Sequence, residues 1–239
     1  MSYCNKRITN YGWLYNSYLR NNHGLGFCYA DQGKLFVEKG YFNFDEFLDA
    51  YNQIPDVPNI FHARDSSGGA INEQMCHPFN VSENLAFAHN GMLRRIKEDI
   101  TCSDTYNFNE LLLKPSFAND HEVLFTEPCI KENLEDYIEY TNKLIFLDNK
   151  GRNLIVNEKA GIWERNTVDG DIWWSNNDYL IDTPKYFKHN DGFAVKLPRP
   201  DTSHLQNLGE KKKGEITIDK NSSINDLFLE GINRMCQDI

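Results

Sequence analysis

The sequence predicts an α+β fold built largely on antiparallel sheets. Three observations carry that expectation. The 239-residue chain is 40% apolar and 13% aromatic, enough to fill a core. Its strand-like and helix-like segments come in runs rather than in strict βα alternation. And the strand pairs are joined by tight turns, Asp31-Gln32-Gly33 and Asp148-Asn149-Lys150-Gly151, that return the chain at once.

The elements follow in order. Residues 10–20 read as a helix, with Trp13, Leu14, Tyr18 and Leu19 near one face at the 3.6 period. A hairpin comes next, residues 26–30 and 35–39 flanking the first turn. Asn43 is placed to cap a helix carrying Phe44, Phe47, Leu48 and Tyr51, which Pro55 and Pro58 end. Residues 59–63 form a buried strand, and residues 85–89 another that stops at the turn dipeptide Asn90-Gly91. The second half opens with helices near residues 108–114 and 132–142. A strand pair at 143–147 and 153–157 follows, then two aromatic-rich strands around Gly161-Ile162-Trp163 and Asp171-Ile172-Trp173-Trp174. From about Pro184 the character changes to proline, charge and the run Lys211-Lys212-Lys213. A final helix is expected from Ser223, with Ile224, Leu227, Phe228, Ile232 and Met235 on one face. This divides the chain into a domain over 1–183 and a C-terminal extension over 184–239.

Charge and cysteine usage exclude several function classes. Lys plus Arg is 25 against 35 for Asp plus Glu, a net charge of -10. A nucleic-acid partner needs clustered cations to neutralise phosphates, and an anionic membrane surface needs the same. The lysine run stands alone in an acidic chain and reads as a solvated loop. The six cysteines are scattered without a C-x-x-C pair, so neither a zinc knuckle nor a disulfide framework is indicated. No signal peptide and no run near the ~20 apolar residues of a membrane span is visible. The expected setting is therefore the reducing cytoplasm.

Three clusters carry chemistry. In Phe61-His62-Ala63-Arg64-Asp65-Ser66-Ser67-Gly68-Gly69 a strand runs into a small polar loop, and Arg64 at its end has the planar fork of a carboxylate clamp. Taken alone, a simple pairing of Arg64 with Asp65 accounts for it equally well. In Ala86-Phe87-Ala88-His89-Asn90-Gly91 the strand end offers a side-chain amide beside a backbone N–H, the donor pair of an oxyanion hole. An ordinary hairpin turn is the plainer account, with His89 structural. In Cys102-Ser103-Asp104-Thr105, Asp104 can meet an ammonium group or cap a helix.

In order and spacing together, these blocks resemble the class II glutamine amidotransferase domain, an N-terminal nucleophile hydrolase. That family shows H-x-R-x-x-[ST]-x-G, then H-P-F, then A-x-A-H-N-G, then S-D-[ST]. This chain has residues 62–69, then His77-Pro78-Phe79, then residues 86–91, then Ser103-Asp104-Thr105. The hairpin from Asn21 to Tyr29 and the closing Gly161-Ile162-Trp163 and Trp173-Trp174-Ser175-Asn176 resemble short, stand-alone, phage-type members. The likeness spans roughly residues 2–180. It implies a four-layer αββα sandwich and release of ammonia from the side-chain amide of glutamine through a covalent glutamyl-enzyme. Arg64 would bind the α-carboxylate of glutamine and Asp104 its α-amino group. Asn90 and Gly91 would hold the oxyanion, with Ser67 and His89 also on the substrate. No metal or organic cofactor is implied. The partners would be glutamine and a separate ammonia-accepting synthetase, since no phosphate loop is present in the chain.

The chain departs from the family at several points. The family's nucleophile is a cysteine at the mature N-terminus, whereas here Met1 is followed by Ser2, with Cys4 two residues on. Three readings stay open: Ser2 replaces the cysteine, Cys4 is unmasked by processing, or the site is silent and the protein is an amidotransferase-like module binding a small molecule or a protein. His23 stands where the short members carry Asp, and Asp65 and Gly68 stand where well-known members carry Trp and His. The stretch from Ser2 to Asn21 is short for the family. A metal hydrolase using His62, His77, His89 and Asp104 is the third idea, without a familiar ligand spacing.

Overall fold

The computed structural model describes residues 1–96 and 101–180. The C-terminal extension, with its lysine run and the helix expected from Ser223, lies outside them. Within them the fold is mixed α+β, on two antiparallel sheets.

The first sheet has six strands in the order β3-β2-β4-β1-β10-β9, and the second has four in the order β5-β6-β7-β8. In chain order these are β1 (Ser2–Cys4), β2 (Leu25–Asp31), β3 (Lys34–Tyr41), β4 (Asn59–Ala63), β5 (Phe79–Ser82), β6 (Leu85–Asn90), β7 (Lys143–Asp148), β8 (Asn153–Val156), β9 (Ile162–Thr167) and β10 (Gly170–Trp174). Helices α1 (Tyr11–Arg20) and α2 (Phe44–Tyr51) belong to the first half. In the second half, α3 (Asp104–Phe108) runs through a π turn at Asn109–Leu113 into α4 (Lys114–Phe117), followed by α5 (Val123–Thr126) and α6 (Pro128–Ile138).

Local chemistry explains the boundaries. Asn10 accepts from the Trp13 amide and starts α1; Asn43 accepts from the Asp45 amide at 2.8 Å and starts α2, whose first turn carries Asp45 and Glu46 against the positive helix end. Between β2 and β3, Gln32 and Gly33 both have positive φ, 48° and 76°, as a two-residue hairpin of the right twist requires. Two helix expectations shift. The helix expected at 108–114 begins at Asp104, because the Ser103 hydroxyl caps the Tyr106 amide at 3.1 Å. The helix expected at 132–142 is α6. It starts early because Pro128 supplies a fixed φ at the first position, and it ends where Glu139 turns to φ 65°. Strands β5 and the four-residue α5 were not anticipated; both are short.

Three apolar clusters account for the packing. Phe27, Phe47, Phe61, Tyr51 and Trp174 join the outer face of the six-stranded sheet to α1 and α2. Phe87, Phe108, Phe146, Leu134 and Ile138 join the outer face of the four-stranded sheet to the later helices. Between the sheets lie Met1, Tyr3, Cys28, Ile60, Ala86, Ala88, Ile145 and Trp173. The small Ala86 and Ala88 let β6 approach the opposite sheet. This clustering is what a helix–sheet–sheet–helix sandwich requires.

Candidate functional site

The side chains of a strand alternate, so the three clusters fix which residues face the space between the sheets. On β4, Ile60 lies in the inter-sheet cluster while Phe61 and Ala63 face the helices, which puts His62 and then Arg64 on the inter-sheet side. On β6, Ala86 and Ala88 face inward, so Asn90 does too, while His89 turns towards the later helices. The ends of β4 and β6 and the start of α3 thus bound one cleft with room for about 80 Å³. Its lining includes Arg64, Ser67, His89, Asn90, Gly91 and Asp104, together with Asn21, His62, His77 and Thr105.

Arg64 is 4% exposed and is held by its own loop. It donates to the carbonyl oxygens of Ala70 (3.1 Å) and Gly68 (3.1 Å) and to the Ser66 hydroxyl (3.0 Å). It does not pair with Asp65. That carboxylate lies 3.0 Å from the His23 ring instead. Arg64 Nη2 is used twice and its Nη1 once, so of the five N–H groups Nε–H and one Nη1–H remain, on different edges of the guanidinium. Burial lowers the Arg64 pKa, opposed by Cys76 and the carboxylates of Asp104 and Asp65. Gly69, at φ 74°, brings this loop onto the turn before α3: a Cβ there would stand 2.7 Å from the Ser103 nitrogen.

Asp104 is the first residue of α3 rather than its cap. Its Oδ2 accepts from the Leu93 amide and its Oδ1 from the Thr105 amide, both at 2.6 Å. These bonds brace the far side of the Asn90-Gly91 turn. The side-chain amide of Asn90 is unclaimed among the described residues and is half-buried at the cleft. Gly91 follows at φ 138°. Ser67 sits exposed at the mouth.

Three histidines form the floor. His62 and His77 stack with ring centroids 4.1 Å apart. His62 Nε2 donates to the His89 carbonyl oxygen at 2.9 Å, which leaves its Nδ1 as a bare acceptor, buried without a partner. His77 Nδ1 accepts from the His89 amide at 3.3 Å. Burial pushes all three pKa values down. The chain's amino group adds to this for His62, and neighbouring His62 for His77; Asp104 opposes it for His89. The neutral imidazoles are thus structural acceptors and donors. Among the described residues no three His, Cys, Asp or Glu side chains are placed to hold a metal ion.

The cleft does not include Ser2 or Cys4. Ser2 pairs across the sheet with Phe61 and Trp174, both of which face α1 and α2, so its side chain points to that side. It is fully buried, and its hydroxyl has no hydrogen-bond partner. Cys4 points the same way, donates to the Asp169 carbonyl oxygen at 3.3 Å, and has its thiol pKa raised by burial. Met1, by contrast, packs between the sheets, one row beyond Ser2 and hence in the row of His62. Its amino group is buried, and burial pushes its pKa down to about 5.

The sequence places His62, His77 and Thr105 in recognisable blocks without giving them a part in the site beyond the metal idea for the two histidines, and it gives no sign of Asn142. The two-residue spacing from His62 to Arg64 on one strand was the available signal for the first histidine. No protein-family model matches this chain. No curated protein matches it either. Among the described residues no helix is long and apolar enough to cross a membrane.

Proposed function

We propose that this protein is a glutamine amidotransferase-type amidohydrolase of the N-terminal nucleophile class, releasing ammonia from the side-chain amide of glutamine. The observation that carries the reading is convergence: Arg64, Asn90, Gly91 and Asp104, drawn from three separate elements, line one cleft. A buried guanidinium with two N–H groups left over, a carboxylate with one acceptor position left beyond its Leu93 and Thr105 bonds, and an unclaimed amide beside a backbone N–H match the three polar ends of glutamine. Arg64 takes the α-carboxylate, Asp104 the α-ammonium, and Asn90 with Gly91 the oxygen of the reacting amide.

The nucleophile in this reading is Ser2 at the head of the chain after loss of Met1. Cys4, committed to Asp169 on the helix side, is not assigned the role. The Ser2 hydroxyl oxygen attacks the amide carbon and its proton passes to the free α-amino group. The carbonyl electron pair moves to the oxygen held by Asn90 and Gly91. Collapse breaks the C–N bond, and the proton on the α-amino group leaves with ammonia. Water then attacks the glutamyl ester in the same way, giving glutamate and restoring Ser2. The ammonia acceptor would be a separate synthetase.

The test is ammonia and glutamate release from glutamine by chain whose intact mass shows Met1 removed, alone and with Ser2→Cys. A thiol ionises near pH 8.5 and attacks far more readily than a hydroxyl, so the cysteine chain should be the faster. No ammonia from Met1-free cysteine chain would refute the reading. A second reading, a silent module that binds glutamine without cleaving it, is favoured by the Ser2 hydroxyl facing away from the cleft. Glutamine would then raise the melting temperature with no ammonia formed.

A further inference from the structure

We propose that Asn142 is a positioning residue for the oxyanion-binding turn Asn90-Gly91, acting through the His89 side chain and the Gly91 backbone. The proposal deepens the amide-hydrolysis reading and rests on it for its chemical consequence. Asn142 does not line the cleft. It stands behind it, just before β7, and is only 2% exposed.

The orientation of its amide is fixed. Asn142 Nδ2 donates to the Ile138 carbonyl oxygen at 2.5 Å, so Oδ1 must be the atom that meets His89 Nε2 at 3.1 Å. Swapping the two would set oxygen against oxygen at Ile138. His89 therefore carries its proton on Nε2, and its Nδ1 faces the Thr105 hydroxyl at 2.8 Å, whose single proton is shared between that nitrogen and Asp104 Oδ1 at 3.1 Å. The ring is gripped at both nitrogens, immediately before the two donor residues. Thr105 in turn neighbours Asp104, which binds the Leu93 amide on the other side of the turn. Asn142 itself is anchored by a bond from its amide to the Glu139 carbonyl (3.1 Å) and by one from Asn157 Nδ2 to its own carbonyl oxygen (2.8 Å).

The second contact is steric. A Cβ on Gly91 would lie 2.2 Å from Asn142 Oδ1 and 2.9 Å from its Cγ. Asn142 is thus a wall against which the Gly91 backbone rests. On its far side Asn142 helps enclose a small void of about 10 Å³ with Leu93, Tyr137 and Ile138. Without the Asn142 amide the turn would have space to relax away from the cleft. An oxyanion donor works only when it is held in place before charge develops, so a relaxed turn costs turnover rather than ground-state binding by Arg64 and Asp104.

The experiment compares Asn142→Leu, which keeps most of the bulk against Gly91 and loses both hydrogen bonds, with Asn142→Ala, which loses the bulk as well. In Met1-free chain, Asn142→Leu should lower kcat about tenfold and Asn142→Ala about 10²-fold, each with KM within about twofold. Amide hydrogen exchange at Leu93, whose N–H is held by Asp104 Oδ2 beside the turn, should quicken in both and more in Asn142→Ala, with residues 86–88 unchanged in both. A KM change as large as the kcat change, exchange rising throughout β6 and β7, or an Ala variant no worse than Leu would overturn the proposal. If the parent chain releases no ammonia the hydrolysis reading fails by itself. The exchange comparison then still decides whether Asn142 holds the turn.

Discussion

Gly69 joins the two halves of the proposed ligand clamp, and replacing it with alanine tests that junction directly. The residue sits at φ 74°, and its added Cβ would meet the Ser103 nitrogen at 2.7 Å, the Cys102 carbonyl carbon at 2.9 Å and the Cys102 oxygen at 3.1 Å. All three are backbone atoms, so no side chain can swing aside. The left-handed conformation costs a non-glycine residue about 1–2 kcal/mol. Relief of the clash must come from parting the Arg64 loop from the turn before α3, which also strains the bond from the Ala70 amide to the Thr101 carbonyl. The expected total is about 2 kcal/mol, or roughly 4–8 °C in melting temperature for a domain of this size. The ligand readout is sharper. If glutamine at a hundredfold over its Kd protects the parent by about 2.7 kcal/mol, a tenfold weaker variant keeps only about 1.4 kcal/mol at the same concentration. Calorimetric or fluorescence melting with and without glutamine measures both quantities. A Gly69→Ala chain with the parent's melting temperature and the parent's glutamine shift would refute the idea that the two loops act as one clamp.

Two further outcomes follow from the buried groups. His62, His77 and His89 have folded pKa values below their ordinary 6.5, chiefly through burial, and the amino group of Met1 is held at about 5 rather than 8. The unfolded chain therefore binds protons first as pH falls, so stability should decline from about pH 8 downwards, more steeply below 6.5. Urea midpoints between pH 8 and 5 that stay level or rise would contradict this. Ser2→Ala removes a buried hydroxyl with no partner, so the variant should lie within about 1 kcal/mol of the parent in urea unfolding while ammonia release disappears. A stability loss well above that would show that the hydroxyl is hydrogen-bonded after all.

Much of the fold was legible because its signals are local. Asn10 and Asn43 announce helix starts, Gln32-Gly33 closes a hairpin, and β4 reads as a short strand opening just after Pro58 around Ile60 and Phe61. What was not legible depends on distant partners. Strand β5 has four residues and exists because β6 pairs with it. The helix begun at Asp104 needs Ser103 to turn its hydroxyl onto Tyr106, and the π turn inside it has no sequence mark that periodicity detects. The cleft shows the same division. Arg64, Asn90, Gly91 and Asp104 stand in short, recognisable blocks. Asn142 sits in no motif, and only the folded chain shows it against His89 and Gly91.

The head of the chain shows where strand logic reaches its limit. Alternation says that Ser2 and Cys4 share a face, and they do, but it cannot say which face. Cross-strand pairing decides that: Ser2 lies level with Phe61 and Trp174, which pack against α1 and α2, so the hydroxyl is on the helix side while Met1 and Tyr3 pack between the sheets. The peptide bond to Met1 holds this arrangement, because the Met1 carbonyl accepts from the Ser175 amide at 2.9 Å and keeps the Ser2 nitrogen in the ladder. Loss of Met1 removes the bond from the Ser175 amide, and rotation about the Cα–C bond of residue 2 would exchange the places of its amine and its Cβ. That rotation carries the hydroxyl from a site where it has no partner towards the row of His62, whose Nδ1 is likewise unpartnered. Ser2 Oγ and His62 Nδ1 are buried on opposite faces of the sheet, each without a hydrogen bond; a rotation that brought the hydroxyl to the His62 side would give both a partner, and the proposed chemistry at Ser2 depends on it.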